Sequence, residues 1–196
     1  MNKIILFFVC TLSSLFINQL NAQTVKIKEA IETVEKFLEL RDKIAITPEG
    51  GAAVFLLALK IYTDNPKLGK QCLVIAVDQD NLQKGEIYKG FELITPDMNL
   101  IKRQIIEKNR QLPNSYISGS SPENAYEVKL PYTFEFMSNP SSGDAASGTF
   151  KLFVKCSGAD SPRPLTLKKN NRGLWKASEW SSLLVGVQKP PVDDKL

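Results

Sequence analysis

The chain has 196 residues, with 25 Lys and Arg against 21 Asp and Glu, which gives a formal charge of +4. This mild excess is far below the charge density of a nucleic-acid-binding protein, so we predict no nucleic-acid partner. The sequence contains no histidine, which excludes Ser-His-Asp and Cys-His catalysis and the usual zinc sites built on imidazole.

The first 22 residues have the three parts of a secretory signal peptide. Lys3 supplies a positive start, Ile4 to Ile17 is almost wholly apolar, and Asn18 to Ala22 is a short polar exit that ends on a small residue. An apolar run of about fourteen residues is shorter than the roughly twenty that a membrane-spanning helix needs. We therefore expect no membrane span, cleavage near Ala22, and export to the periplasm or the outside of the cell.

The first element of the mature chain is predicted to be an amphipathic helix over Val25 to Ile44. Ile27, Ile31, Val34 and Leu38 follow one another at steps of four, three and four, which places them on one helical face.

Three further helices are predicted from a repeated start signal, in which a capping residue precedes a proline. Thr47-Pro48 opens a helix whose body, Ala52 to Tyr62, is apolar nearly all round and should be the central buried helix. Asn65-Pro66 opens Leu68 to Val77, which also fits an alternating strand, and the cap favours the helix. Thr95-Pro96 opens a helix that ends near Asn109.

Residues 79–94 lie between these helices and contain two glycines. We predict a loop there, with a short extended piece around Ile87 to Leu93.

After Pro113 the apolar pattern changes to a period of two, which is typical of strands. One strand is predicted from Tyr126 to Met137 and a second from Phe150 to Cys156. Leu165 to Leu167 and Leu174 to Trp180 flank a short glycine-containing loop and form a hairpin. The predicted fold is α+β: N-terminal helices packed on a curved antiparallel meander of about four strands. One domain covers residues 23–188, and a flexible tail covers 189–196.

The strand period also makes a prediction about the two tryptophans. Trp175 and Trp180 are five residues apart, so on one strand they would face opposite sides, and only one would be in the core.

Two cysteines, Cys72 and Cys156, remain after signal cleavage. Two buried thiols are the favoured interpretation because both have apolar neighbours. A Cys72–Cys156 disulfide stays open as the alternative, since an exported protein is exposed to oxidants.

The loop from Ser115 to Tyr126 is the candidate ligand-binding site because it gathers polar groups where the helices meet the sheet. In the alternative interpretation the segment is a proline turn, and its two tyrosines pack their rings in the core. No catalytic residue, metal site or cofactor is predicted. The candidate binding residues are Tyr116, Ser118, Ser120, Glu123, Asn124 and Tyr126.

Arg163, Lys168, Lys169, Arg172 and Lys176 gather around the predicted hairpin. A solvated polar face explains this cluster at least as well as an acidic partner does.

The same loop and the hairpin carry a resemblance to a known family. Ser115–Tyr126, Arg163–Leu167, Gly173–Lys176 and Glu179–Leu183, together with the helices over residues 47–78, resemble an uncharacterised bacterial family. This family is the domain of unknown function numbered 6935, and the resemblance covers nearly all of the mature chain. The family has no assigned activity, so the resemblance implies no catalytic residues.

A looser resemblance is to cone-shaped folds of the nuclear-transport-factor-two and cystatin-like kind. These folds place helices before a curved antiparallel sheet and often end in a hairpin like Leu165 to Trp175.

From these observations we predict an exported, non-enzymatic binding module at the cell envelope or outside the cell. Its partner would be a protein or a small apolar ligand. The alternative is a small histidine-independent hydrolase or isomerase with a carboxylate and a tyrosine in a cone-shaped pocket. A pocket lined by Tyr126, Tyr132 and Phe134 would favour this alternative, and a filled core would favour the binding module.

Overall fold

The computed structural model describes residues 21–192. Within this range the chain forms four α-helices, the last of which continues as a π-helical segment, and seven strands. The helices are α1 (Val34–Ile44), α2 (Pro48–Asp64), α3 (Pro66–Ala76) and α4 (Thr95–Ile101), with the π-helical segment over Lys102–Lys108. The strands are β1 (Asn21–Ile27), β2 (Leu82–Tyr88), β3 (Phe91–Leu93), β4 (Tyr132–Ser138), β5 (Thr149–Val154), β6 (Arg163–Lys169) and β7 (Trp175–Glu179).

The strands form one antiparallel sheet in the order β1-β4-β5-β6-β7 and a separate two-stranded hairpin of β2 and β3. The helices lie mostly in the first half and the main sheet in the second, so the α+β class is confirmed. The predicted C-terminal meander of about four strands is confirmed as β4 to β7. The main sheet has five strands because an N-terminal strand joins its edge.

The predicted helix over Val25 to Ile44 is wrong in its first third. Residues up to Ile27 form β1, and α1 begins only at Val34, where the Thr33 side chain accepts a hydrogen bond from the Lys36 amide at 3.3 Å. Lys26 is exposed, while Val25 is half-buried and Ile27 is buried, which is the alternation of a strand with one buried face. Thr33 is the N-cap of α1. The sequence analysis overlooked this signal because the apolar residues on both sides of Thr33 also follow a helical spacing.

Two of the proline-started helices are confirmed with their caps. The Thr47 hydroxyl accepts from the Gly50 amide at 3.1 Å, and the Asn65 side chain accepts from the Leu68 amide at 3.2 Å. Helix α2 is buried along nearly all of its length, as expected of the central helix. The ambiguous segment after Asn65 is helical, as the cap predicted.

The segment between α3 and α4 is more ordered than predicted. The expected loop is in fact a hairpin, in which β2 and β3 are joined by a turn at Lys89 and Gly90. Both turn residues have positive φ, 49° and 85°, as the two-residue turns that suit the twist of a hairpin require. The predicted extended piece and the helix after Thr95 are both confirmed.

The strand predicted from Tyr126 begins six residues later, at Tyr132. Ala125 and Tyr126 have φ values of 53° and 58°, which no strand contains, so the chain turns here before it enters the sheet. From Phe134 onward the predicted alternation is correct, and both Phe134 and Phe136 are fully buried.

The core lies between the sheet and α2. At Gly51 the α2 backbone touches β7 so closely that an added Cβ would lie 2.6 Å from the Trp175 carbonyl oxygen. Trp175 and Trp180 are both buried, which corrects the prediction that only one would be. Trp180 follows the end of β7 and packs on Phe55 with the ring centroids 5.0 Å apart, so strand alternation does not govern it.

Cys72 and Cys156 are both free and buried in the described part of the chain. Burial raises the pKa of the Cys72 thiol to about 12. Among residues 21–192, no helix is both long enough and apolar enough to span a membrane.

The predicted signal peptide lies outside the described residues except for Asn21 and Ala22, which pair with β4 at the start of β1. The domain boundary and the flexible tail stay predictions.

Candidate functional site

The Ser115–Tyr126 loop connects the helical part of the chain to β4 and contains a tight turn. The Asn124 side chain holds this turn, since its oxygen accepts from the Ser121 amide and its nitrogen donates to the Gly119 carbonyl, both at 2.8 Å. These bonds match the proline turn of the alternative interpretation. Asn124 therefore shapes the loop, although its side chain is exposed.

Tyr116, a predicted binding residue, is buried and fully engaged within the protein. Its hydroxyl donates to the Leu183 carbonyl and accepts from Arg163 Nη1 at 3.0 Å. Burial raises the pKa of the Tyr116 phenol above its ordinary value, so it stays protonated.

Tyr126 is engaged in the same way. Its ring is buried, and its hydroxyl donates to the Gln188 carbonyl at 2.6 Å. Burial is the main cause that raises the pKa of the Tyr126 phenol. The Arg163 guanidinium, itself buried, donates to the carbonyls of Val185 and Gly186 at 2.6 and 2.7 Å.

Tyr116, Tyr126 and Arg163 thus bind four backbone carbonyls between Leu183 and Gln188, and we name these three residues the carbonyl clamp. The clamp fixes the segment after β7 against the Ser115–Tyr126 loop. Two of the six predicted binding residues therefore have a structural role, which sequence reasoning did include as the alternative.

Ser118 lines a pocket of about 170 Å³ beside the loop. Its hydroxyl donates to Glu135 at 2.6 Å, and Lys155 donates to the same carboxylate at 2.8 Å. These hydrogen bonds, from Lys155 first and Ser118 second, lower the pKa of Glu135. Sequence analysis missed Glu135 and Lys155 as partners of the loop, because strand pairing between β4 and β5 brings them there.

Ser120 is buried in the same pocket, and its hydroxyl donates to the Ile117 carbonyl at 2.8 Å and lies 2.9 Å from the Ser157 hydroxyl. Glu123 is exposed and lies outside the pocket lining. A hydrogen bond from Ser121 lowers the pKa of Glu123. Of the six predicted residues, Tyr116, Ser118 and Ser120 therefore line this pocket, and Glu123, Asn124 and Tyr126 do not.

A second concave region lies beside the β6–β7 hairpin. We name it the Lys176 cleft. It has a volume of about 580 Å³ and runs between the residues that follow α3 and the strands β6 and β7. Its charged lining residues are Asp78, Asp80, Lys168, Lys169 and Lys176. Three of these five belong to the basic cluster that the sequence analysis interpreted as a solvated face or an acidic-partner site.

Lys176 is buried, whereas the interpretation as a solvated face expected it to be exposed. Only 9% of the residue is exposed, and its amine donates to the Ile75 carbonyl at the end of α3. Burial, followed by repulsion from Arg41 and Arg172, lowers the pKa of Lys176 to about 8. The amine is therefore partly uncharged near neutral pH.

Comparison with known proteins identifies one family. The model of a family described as Domain of unknown function (DUF6935) matches residues 30–191. Neither a search of the curated proteins nor a search of the solved structures finds a match. The looser resemblance to cone-shaped folds is not confirmed by these comparisons.

Proposed function

We propose that this chain, which belongs to the DUF6935 family, is an exported, non-enzymatic binding domain that recognises a protein partner through the Ser115–Tyr126 loop. The family has no assigned activity, so the proposal rests on the residues of this chain.

The observation that carries the proposal is the filled space beneath the sheet. Phe134 and Phe136 have no exposed surface, and the buried Phe55 packs on Trp180. The enzymatic alternative needs an open, cone-shaped pocket in this region with an inward carboxylate. Glu135 instead binds Ser118 and Lys155 at the surface. A filled core favours the binding domain over the enzyme.

The loop has the properties of a recognition surface. Ser118, Glu123 and Asn124 are exposed, while the backbone that carries them is fixed by the Asn124 bonds and by the carbonyl clamp. A loop that is rigid before binding loses little conformational entropy when a partner binds. Loops on a rigid scaffold are also where binding residues concentrate.

A small apolar ligand is less well supported than a protein. The apolar recess between α3 and the β2–β3 hairpin, lined by Val74, Ile87, Leu93 and Met98, has a volume of about 150 Å³. A larger cleft between β1 and α1, of about 380 Å³, has six charged residues among the ten that line it. Pockets for drug-sized ligands usually measure about 300–1,000 Å³.

Export is tested by N-terminal sequencing of the protein isolated from the organism that produces it. We expect the sequence to begin at Gln23 or a close neighbour, because of the charged, apolar and small-residue parts of the first 22 residues. A cytoplasmic protein that retains Met1 would contradict export.

Binding is tested by photo-crosslinking in the same cells. A photo-reactive phenylalanine analogue at Glu123 should give a discrete protein adduct, whereas the same group at Lys67, which is exposed on α3, should not. Equal adducts at both positions, or none at Glu123, would contradict recognition through the loop.

A further inference from the structure

We propose that Lys176 is a carbonyl-reactive amine, and that the Lys176 cleft captures a small aldehyde or ketone bearing an anionic group as a reversible imine. This site is separate from the Ser115–Tyr126 loop and does not depend on the function proposed for the loop.

The first support is the position of Lys176 in the sheet. Lys168 and Lys176 are direct cross-strand partners of β6 and β7, so their side chains leave the same face of the sheet. Lys168 extends to Asp80, which it contacts at 2.7 Å. The Asp80 carboxylate is therefore already paired with another lysine, and the Lys176 amine contacts a backbone carbonyl.

Lys60 shows what a buried lysine with a carboxylate partner looks like in the same protein. It is as buried as Lys176, with 8% of the residue exposed, but its amine donates to Asp64 at 2.5 Å, one helical turn further along α2. The Lys60 amine thus has a carboxylate oxygen as its partner, whereas the partner of the Lys176 amine is a neutral backbone carbonyl. A neutral Lys176 amine keeps its electron pair while it donates a hydrogen to the Ile75 carbonyl.

The charges that face Lys176 come from several elements. Burial is the largest cause that lowers the pKa of Lys176. Arg41 of α1 and Arg172 of the β6–β7 turn lower it further, while Asp42 and Asp78 raise it. Asp42 is itself bound by Arg41 at 2.7 Å, which weakens its effect. With a pKa of about 8, Lys176 has on the order of a hundredfold more neutral amine at pH 7 than an ordinary lysine. Desolvation and a neighbouring cation are the two features that activate nucleophilic lysines.

The reaction needs no oxidant, reductant or metal. The Nζ electron pair forms a bond to the carbonyl carbon, and the carbonyl π electrons move to the oxygen, which takes a proton from the nitrogen. The carbon–oxygen bond of this carbinolamine then breaks, and the oxygen leaves as water with the second amine proton. The product is the imine, and water reverses its formation.

The cleft also suggests the class of carbonyl compound. Its volume of about 580 Å³ admits a small molecule, and Lys168 and Lys169 stand beside Lys176 in its lining. Lys168 is paired with Asp80, and Asp78 also lines the cleft, so Lys169 is the lining cation that would attract an anionic group on the compound while its carbonyl reaches the Lys176 amine.

The proposal is tested by reductive trapping. The purified protein is incubated with glyoxylate and sodium cyanoborohydride at pH 7, and the labelled lysines are identified by peptide mass spectrometry. We expect Lys176 to be labelled at least about tenfold faster than Lys60, which is equally buried but paired. Its labelling rate should reach half of its maximum near pH 8. Labelling of Lys176 no faster than Lys60, or only after unfolding, would overturn the proposal.

Two controls address the electrostatics and the ligand class. Replacing the exposed Arg172 by Gln should move the half-maximum of Lys176 labelling to higher pH, whereas Arg103→Gln, on the exposed face of the π-helical segment, should not. An unmoved half-maximum in Arg172→Gln would contradict the activation by neighbouring charge. Formaldehyde, which carries no charge, should show a smaller preference for Lys176 than glyoxylate does, and an equal preference would overturn the anionic class.

Discussion

The Ser115–Tyr126 loop and the Lys176 cleft differ in whether their polar groups already have partners. In the loop, the tyrosine hydroxyls, Ser120 and the Asn124 side chain are bound to backbone carbonyls or amides. In the cleft, a buried amine contacts a carbonyl and, among residues 21–192, no carboxylate. The hydroxyl and aromatic residues of the loop were the reason to predict a binding site there. In the structure most of them form hydrogen bonds within the protein instead.

The two regions therefore contain two different kinds of buried polar group. A buried polar group whose hydrogen bonds are all formed stabilises the fold and is unreactive, because its lone pairs and protons are occupied. An ionisable group that lacks a counter-charge costs stability and keeps its reactivity. The two regions should therefore respond in opposite ways when a polar group is removed.

The largest expected effect is on the core side of β7. Trp175→Ala should lower the free energy of unfolding by about 3–5 kcal/mol, because Trp175 is 3% exposed and packs against Gly51 of α2. Thermal unfolding beside the parent measures the loss, and Phe91→Ala, at a residue that is 48% exposed, is the matched control. Similar melting temperatures for parent and Trp175→Ala would show that the faces of β7 are assigned wrongly.

Removing one hydroxyl of the carbonyl clamp should give a smaller loss. Tyr116→Phe leaves the Leu183 carbonyl and one Arg163 donor without their partner, which should cost about 1–3 kcal/mol. Urea unfolding of Tyr116→Phe and of Tyr88→Phe, in the half-buried hairpin strand, compares the two sites. A loss no greater than that of Tyr88→Phe would mean that the clamp does not stabilise the fold.

Removing the Lys176 amine should raise the free energy of unfolding instead of lowering it. Folding lowers the pKa of Lys176 to about 8, so between this pH and its ordinary pKa the unfolded chain binds more protons, and the parent gains stability as the pH rises. Lys176→Met should be more stable than the parent by about 1–2 kcal/mol at pH 7. The difference should shrink towards pH 10, since the parent amine is then neutral in the folded protein. A difference that stays constant from pH 7 to pH 10 would contradict the lowered pKa.

The smallest effect is expected at the exposed loop. Glu123→Gln should change stability by less than about 0.5 kcal/mol, because Glu123 is exposed and its carboxylate contributes no packing. The same variant should weaken partner crosslinking from a neighbouring position such as Ser118. A clear loss of stability would assign Glu123 to the structure instead of to binding.

Local signals predicted those elements that begin with a strong cap. Thr47-Pro48 and Asn65-Pro66 determine two helix starts through local interactions, so these starts can be predicted without knowledge of tertiary contacts. The β6–β7 hairpin was equally readable, because Gly173 marks its turn and apolar residues alternate on both sides.

The missed elements depend on partners that are distant in the sequence. Strand β1 exists because β4, more than a hundred residues away, pairs with it, and its few alternating residues also fit a helix. The β2–β3 hairpin turns at Lys89-Gly90, which lacks the Asn or Asp that usually announces such a turn.

The candidate sites were harder to predict than the fold for the same reason. The groups that engage the two tyrosine hydroxyls, Arg163 and the carbonyls of Leu183 and Gln188, lie about fifty residues or more away in the chain. The burial of Lys176 arises where α3 ends beside β7, a contact that spans 101 residues. No local pattern shows that one lysine in a basic cluster is desolvated.

The contrast between engaged and free polar groups is tested most directly by the titration of the lysine side chains. NMR of the protein with ¹³C-labelled lysine follows each Cε resonance from pH 6 to pH 11. We predict that Lys176 titrates with a pKa of about 8, while Lys168, whose pKa is raised by its hydrogen bond and attraction to Asp80, stays charged beyond the ordinary range. A Lys176 resonance that titrates together with Lys168 would contradict the account.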